Sequence, residues 1–152
     1  MKDKKLIERI AYLLKHQRCG GRFFDNVRLF PNCHGTSLFC LGIAPLEVWS
    51  DDEDLLSVAA KNGPGYVGNK TMEKILKEMF VRSEEEPPNL LALWQGRDLV
   101  HTGIYLGRDR RKEVCFHQKN YGGCYELFEL REALKVQGTS RYSFHIPIQK
   151  AI

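Results

Sequence analysis

Residues 100–118 read VHTGIYLGRDRRKEVCFHQ. Two runs rich in β-branched, aliphatic and aromatic residues flank the polar stretch Gly107-Arg108-Asp109-Arg110, a pattern that predicts a β-hairpin. A turn centred near Asp109 sets His101 across from His117 as cross-strand neighbours, with Cβ atoms about 4.5–5.5 Å apart. Alternation puts His101, Gly103, Tyr105 and Gly107 on one face and Val100, Thr102, Ile104 and Leu106 on the other. The second set is mostly apolar and reads as core. The first carries two glycines, which leave space beside His101 for a helix end or a ligand to approach.

Leu90–Trp94, Tyr125–Leu130 and Arg141–Ile148 read as further strands around this hairpin, and Arg131–Val136 as a helical turn or short helix. The chain before Pro88 has a different texture. Leu6, Ile7, Ile10, Leu13 and Leu14 recur at helical spacing over residues 4–16 and stop at Gly20-Gly21. Asn32 stands as an N-cap before a short buried helix ending ahead of Pro45. Ser50-Asp51-Asp52-Glu53 opens another helix, running to Asn62-Gly63-Pro64-Gly65, and Met72–Val81 forms a further amphipathic one. Ser83–Pro88 is an acidic, exposed linker. Helices first and then a meander of strands predict an α+β fold, with N-terminal helices packed on one side of an antiparallel β-sheet.

The chain has 152 residues, the length of one domain, so residues 1–152 are read as a single unit. A net charge of +4 is spread among interleaved acidic and basic residues, without the clustered basic face that nucleic acid requires. The five cysteines are odd in number and form no CxxC pair, so neither a disulfide framework nor a zinc finger is expected and at least one thiol is free. Glu8 and Lys15 interrupt the apolar residues of the first helix, unlike a signal peptide, and no apolar run approaches the roughly 18 residues that span a bilayer. The expectation is a cytoplasmic protein, or one exported without a signal or after its removal.

The segment NCHGTSLFCLG, residues 32–42, puts Cys33 at the start of a helix. Thiolate is the reactive form of cysteine, and the unpaired N–H groups of a helix start favour it. The same N–H groups can hold the oxyanion that forms when a thiolate attacks a carbonyl. His101 supplies a base and His117 a polar side chain to orient it, which is the logic of a Cys–His–orienter site. Cys40, between Phe39 and Leu41, reads as core, as does Trp94. His16 and His145 read as satisfied or exposed. The spacings of Cys19, Cys33, His34 and Cys40 match no common zinc pattern.

A cysteine at a helix start, a histidine opening an HTGIYLG strand and a polar residue opposite it together resemble the NlpC family of papain-like cysteine peptidases. The resemblance runs from about Arg18 to Ile148 and is strongest over His101–Gly107. It implies a papain-like fold and an amidase or endopeptidase, commonly acting beside D-amino acids in bacterial cell-wall peptides, with no metal or organic cofactor. Cys33 is then the nucleophile, His101 the general base and His117 the third residue, and His34 and Tyr105 are candidate substrate contacts. Cys before His argues against the related lecithin retinol acyltransferase-like branch. The chain departs from the family in reading Asn32-Cys33-His34-Gly35 where Asp-Cys-Ser-Gly is common, and Gly20–Phe24 holds no upstream tyrosine for the oxyanion. Arg22 and His34 are the residues nearest that role. The same residues also suit acyl transfer or thioester chemistry, or a binding module that keeps the fold without the reaction; the expected partner is a peptide or cell-wall fragment.

Overall fold

The computed structural model describes residues 3–16, 32–43, 67–84, 86–118 and 124–148. Helix α1 (Lys4–His16) buries Leu6, Ile10 and Leu13 as one stripe and leaves Lys4, Lys5 and Glu8 in water. Asp3 caps it, its Oδ1 accepting from the Leu6 N–H at 2.9 Å.

Helix α2 (Cys33–Cys40) begins where the sequence places its cap. Asn32 is extended, with φ −98° and ψ −173°, and its Oδ1 accepts from the Gly35 N–H at 3.0 Å. The same amide reaches Val67, accepting from its N–H at 3.0 Å and donating to its carbonyl at 2.6 Å. Val67 leads into helix α3 (Asn69–Met79), so one buried side chain joins the starts of two helices.

The strands are β1 (Phe80–Arg82), β2 (Asn89–Gln95), β3 (Asp98–Asp109), β4 (Lys112–Gln118), β5 (Tyr125–Glu129) and β6 (Arg141–Pro147), with helix α4 (Leu130–Gln137) between the last two. They form a six-stranded antiparallel sheet in the order β1-β6-β2-β3-β4-β5. Strand β2 pairs on both edges and is buried from Asn89 to Leu93, which is why its sequence is a continuous apolar run. Each of its leucines contributes about 1.5–3 kcal/mol by leaving water.

Leu90, Ala92, Ile104 and Phe116 pack with Leu6, Leu13, Leu38 and Met72 of α1, α2 and α3. Leu91, Leu93 and Cys115 point the other way and meet Leu130 and Ala133 of α4. The sheet is therefore covered on both faces, where one covered face was expected. The α4 segment is too short to read as a layer, yet its apolar Leu130 and Ala133 suffice to close a second small core.

Three further differences have local causes. Helix α3 stops at Met79 because Phe80 turns extended and Phe80–Arg82 pairs with β6 at the sheet edge, so the expected helix to Val81 ends two residues early. The hairpin turn falls at Arg110-Arg111, and a bulge between Tyr105 and Gly107 adds a residue to β3. Gly107 has φ +110°, which a side chain strongly disfavours. Ile104 consequently pairs with Phe116, two positions from the expected register, an even offset that keeps Ile104 on the core face, whereas Val100, expected beside it, packs in the opposite core because of an irregularity between β2 and β3. Cys124 is disulfide-bonded, where no such framework was expected. The expected helix over residues 50–62 lies outside the described residues. Among the described residues no helix is long and apolar enough to cross a membrane.

Replacing Asn32 with alanine removes a helix cap, a loss of about 0.5–2 kcal/mol. It also strands the buried N–H and carbonyl of Val67, a further loss of about 1–3 kcal/mol for an unsatisfied group. Urea denaturation of Asn32→Ala should show a stability loss at the upper end of these ranges; a loss under about 0.5 kcal/mol would mean water replaces the amide.

Candidate active site

Strand register brings three polar side chains into line across β3, β4 and β5. His101 Nε2 lies 2.9 Å from His117 Nδ1, and His117 Nε2 lies 3.0 Å from Glu126 Oε1, Glu126 being the direct cross-strand partner of His117. The two imidazoles meet edge to face, and His117 stacks on Phe128 with ring centroids 3.5 Å apart. Gly103 permits this approach. A Cβ there would stand 2.9 Å from the Phe116 carbonyl oxygen and 3.2 Å from His117 Cβ. The space that the glycine opens is thus filled by β4 and its histidine.

The direction of each hydrogen bond follows from the carboxylate. An ionised carboxylate only accepts, so His117 Nε2 carries the proton and His117 Nδ1 is left as an acceptor. His101 Nε2–H must then donate to it, which leaves His101 Nδ1 as the acceptor nitrogen of that ring. Burial, helped by the charge of His101 and opposed by Glu126, pushes the His117 pKa down to about 4 from its ordinary 6.5. At neutral pH His117 is therefore an uncharged link of fixed tautomer.

Cys33 is the first residue of α2 and is partly exposed. Burial opposes its ionisation and is the largest single influence. The charges of His34 and His101, with a hydrogen bond from each, outweigh it and hold the thiol well below its ordinary 9.0. Cys40 and Cys115, which lack such neighbours, are pushed up to about 12 by burial. At the start of α2 the Thr36 N–H goes to the Asn32 carbonyl and the Gly35 N–H to the Asn32 side chain. Among the described residues the N–H groups of Cys33 and His34 have no partner, and these are the donors available to an oxyanion.

His34 is completely buried, with Nδ1 3.6 Å from Cys33 Sγ and 2.8 Å from Thr102 Oγ1, and Nε2 2.6 Å from Asn69 Oδ1. Both ring nitrogens are engaged within the protein. Tyr105 shares the sheet face of His101, but its hydroxyl donates to Glu113 at 3.3 Å and its ring packs on Phe144. His145 is bonded to Ser143 on β6, far along the sheet order from this cluster. Arg22 lies outside the described residues.

Glu126 is the residue that sequence reasoning missed. Its signal was a single carboxylate in a strand whose register against β4 the sequence did not specify. It is reached from a cleft of about 510 Å³ walled by Val114, Phe128, Ala133 and Val136 between the sheet and α4, which touches His117 as well. Among the described residues no group of three or more His, Cys, Asp or Glu could hold a metal ion.

Removing the carboxylate in Glu126→Leu frees His117 to hold its proton on Nδ1, which turns His101 to the wrong tautomer. Alkylation of Cys33 at pH 6 should slow about tenfold for every unit by which the thiol's pKa rises; an unchanged rate would show that the carboxylate does not govern His101. Folding stability should also fall on acidification. The folded-state pKa of His117 lies below its unfolded value, so the unfolded chain binds more protons between pH 6.5 and about 4. Stability is lost as pH falls through that window, and His117→Asn should flatten the loss in urea titrations at pH 7 and 5.

No family model matches the chain, and no solved structure matches it. Over 90 residues, 57% of this chain, it is 32% identical to Rik1-associated factor 1 of Schizosaccharomyces pombe. The chain spans 14% of that protein's length, so the similarity belongs to one portion of a much larger chain.

Proposed function

We propose that the chain is a cysteine hydrolase that cleaves an amide through an acyl-enzyme on Cys33, on a papain-like arrangement of the NlpC type. The observation that carries this reading is the directed series of hydrogen bonds Glu126–His117–His101, ending in an imidazole that interacts with a thiol of depressed pKa. His101 Nδ1 takes the Cys33 proton, the thiolate attacks the carbonyl carbon, and the N–H groups of Cys33 and His34 receive the oxyanion. The proton passes from His101 to the leaving amine as the carbon–nitrogen bond breaks. Water, deprotonated by the same nitrogen, then displaces the thiolate and releases the acid.

The chemistry selects an acyl carbon and not a particular substrate. Cell-wall peptides follow only from the resemblance, and the similar protein comes from a yeast. The same acyl-enzyme would pass its acyl group to an amine or alcohol in place of water, so transfer is the companion outcome of this reading.

The test uses p-nitrophenyl acetate, which needs no knowledge of the natural substrate. Wild-type protein should release a burst of one equivalent of nitrophenolate and carry acetate on Cys33 by peptide mass spectrometry. Cys33→Ser should show no burst, and His101→Ala should slow it at least tenfold. Equal labelling of Cys33 and Cys40, or a burst indifferent to His101, would sink the proposal.

A further inference from the structure

Cys33 has two imidazoles, and the first reading uses only one. His34 follows the nucleophile directly, where the resembled family often has serine, and it is held by more hydrogen bonds than any packing role requires. Its Nδ1 lies 3.6 Å from Cys33 Sγ, and its Nε2 lies 2.6 Å from the Asn69 carbonyl oxygen. A carbonyl oxygen only accepts, so Nε2 carries a proton in every protonation state and Nδ1 is where a second proton adds.

From this geometry we infer that His34 is a second catalytic base, which takes the Cys33 proton and keeps the resting nucleophile as a thiolate–imidazolium pair. The inference rests on the reading of Cys33 as a nucleophile. In the step concerned the Sγ–H bond breaks and an Nδ1–H bond forms on His34, with no change in the net charge of the pair. The proton reaches His101 through the sulfur, which accepts it from one ring and gives it to the other, so acylation proceeds from the thiolate with the proton on His101 and His34 neutral.

The surroundings of His34 favour the charged ring. Around it, α2 supplies Cys33, β3 supplies the Thr102 hydroxyl with His101 as the other imidazole on the sulfur, and α3 supplies Asn69 and Glu73. Burial works against the imidazolium and is the largest influence, yet the Cys33 thiolate, the Asn69 hydrogen bond and the Glu73 charge together raise the pKa of His34 above 6.5. Thr102 Oγ1 offers lone pairs to a protonated Nδ1 at 2.8 Å, while Ser37 Oγ, whose own proton goes to the Cys33 carbonyl at 2.9 Å, lies 3.1 Å from the same oxygen and can accept the Thr102 proton. Among the described residues no carboxylate hydrogen-bonds to His34, and the Cys33 thiolate acts on it more strongly than the Glu73 charge does.

Asn69 makes the inference testable without disturbing the core. It is exposed and is the first residue of α3, where aspartate is tolerated and favoured by the helix dipole. Asn69→Asp places a carboxylate on Nε2–H, which should favour the imidazolium and move thiolate formation to lower pH. Asn69→Leu and His34→Gln should move it to higher pH.

The experiment is a titration of thiolate absorbance at 240 nm from pH 3 to 9, with iodoacetamide alkylation of Cys33 followed by mass spectrometry in the same samples. Cys40 and Cys115 are silent in this range, since both are held near 12. We expect the midpoint to fall in Asn69→Asp and to rise by about one unit or more in Asn69→Leu and His34→Gln, a tenfold loss of thiolate below the midpoint. An acidic wild-type midpoint that both Asn69 variants leave unmoved would overturn the role of His34 while leaving Cys33–His101 intact. An ordinary wild-type midpoint would overturn the nucleophile itself, and with it both readings. Should His34→Gln fail to fold, the two Asn69 variants decide alone.

Discussion

The carboxamide of Asn32 is the joint on which the site hangs. An asparagine side chain can accept and donate at once, and this one accepts from the Gly35 and Val67 N–H groups and donates to the Val67 carbonyl. Serine, threonine or aspartate would cap the helix as well, but none of them answers both halves of the Val67 peptide group. Aspartate would also set a carboxylate beside the thiol and raise its pKa. The choice of asparagine thus serves two ends. It brings the start of α3, and with it Asn69, against the start of α2, and among the described residues it leaves the N–H groups of Cys33 and His34 without a partner.

The second half of the site depends on the sheet. Histidines on neighbouring strands meet only if the register keeps them on one face, and the β3–β4 pairing does so despite an inserted residue. Val100 packs in the second core and Leu99 in the first, across an irregularity between β2 and β3 that ends at His101. Bulges of this kind re-aim side chains next to sites of chemistry. Gly103 then lets β4 come close enough for ring-to-ring hydrogen bonding.

Much of this was legible from residue types. The hairpin, the N-cap at Asn32, the buried β2 and the shared face of His101 and His117 follow from local chemistry and alternation, which act over a few residues, although the two histidines meet diagonally and not as direct cross-strand partners. The register itself was not, because a bulge is a compromise between turn geometry and core packing that no short window contains. Glu126 was hidden for the same reason, since its role depends on pairing with β4 and its own sequence context is unremarkable. From the sequence alone His34 reads as a substrate contact or an oxyanion donor. Its burial depends on Asn69 and Thr102, which lie 35 and 68 residues away in the chain.

Where the charges sit explains why one cysteine has two histidines. Glu126 keeps 45% of its side chain in water while its partner His117 is almost fully buried and neutral, so this end directs a hydrogen bond without burying an ion pair. Burying both partners as ions would cost several kcal/mol each. The sulfur end has no such escape. From His34 to Leu38 helix α2 is buried without interruption, and desolvation is the largest influence on both Cys33 and His34. One imidazole would face that cost alone. With two, the excess proton has a site on either side of the sulfur, and a thiolate at Cys33 has a cationic neighbour whichever ring holds it. A histidine beside Cys33 therefore suits a thiol at the start of a helix buried this deeply.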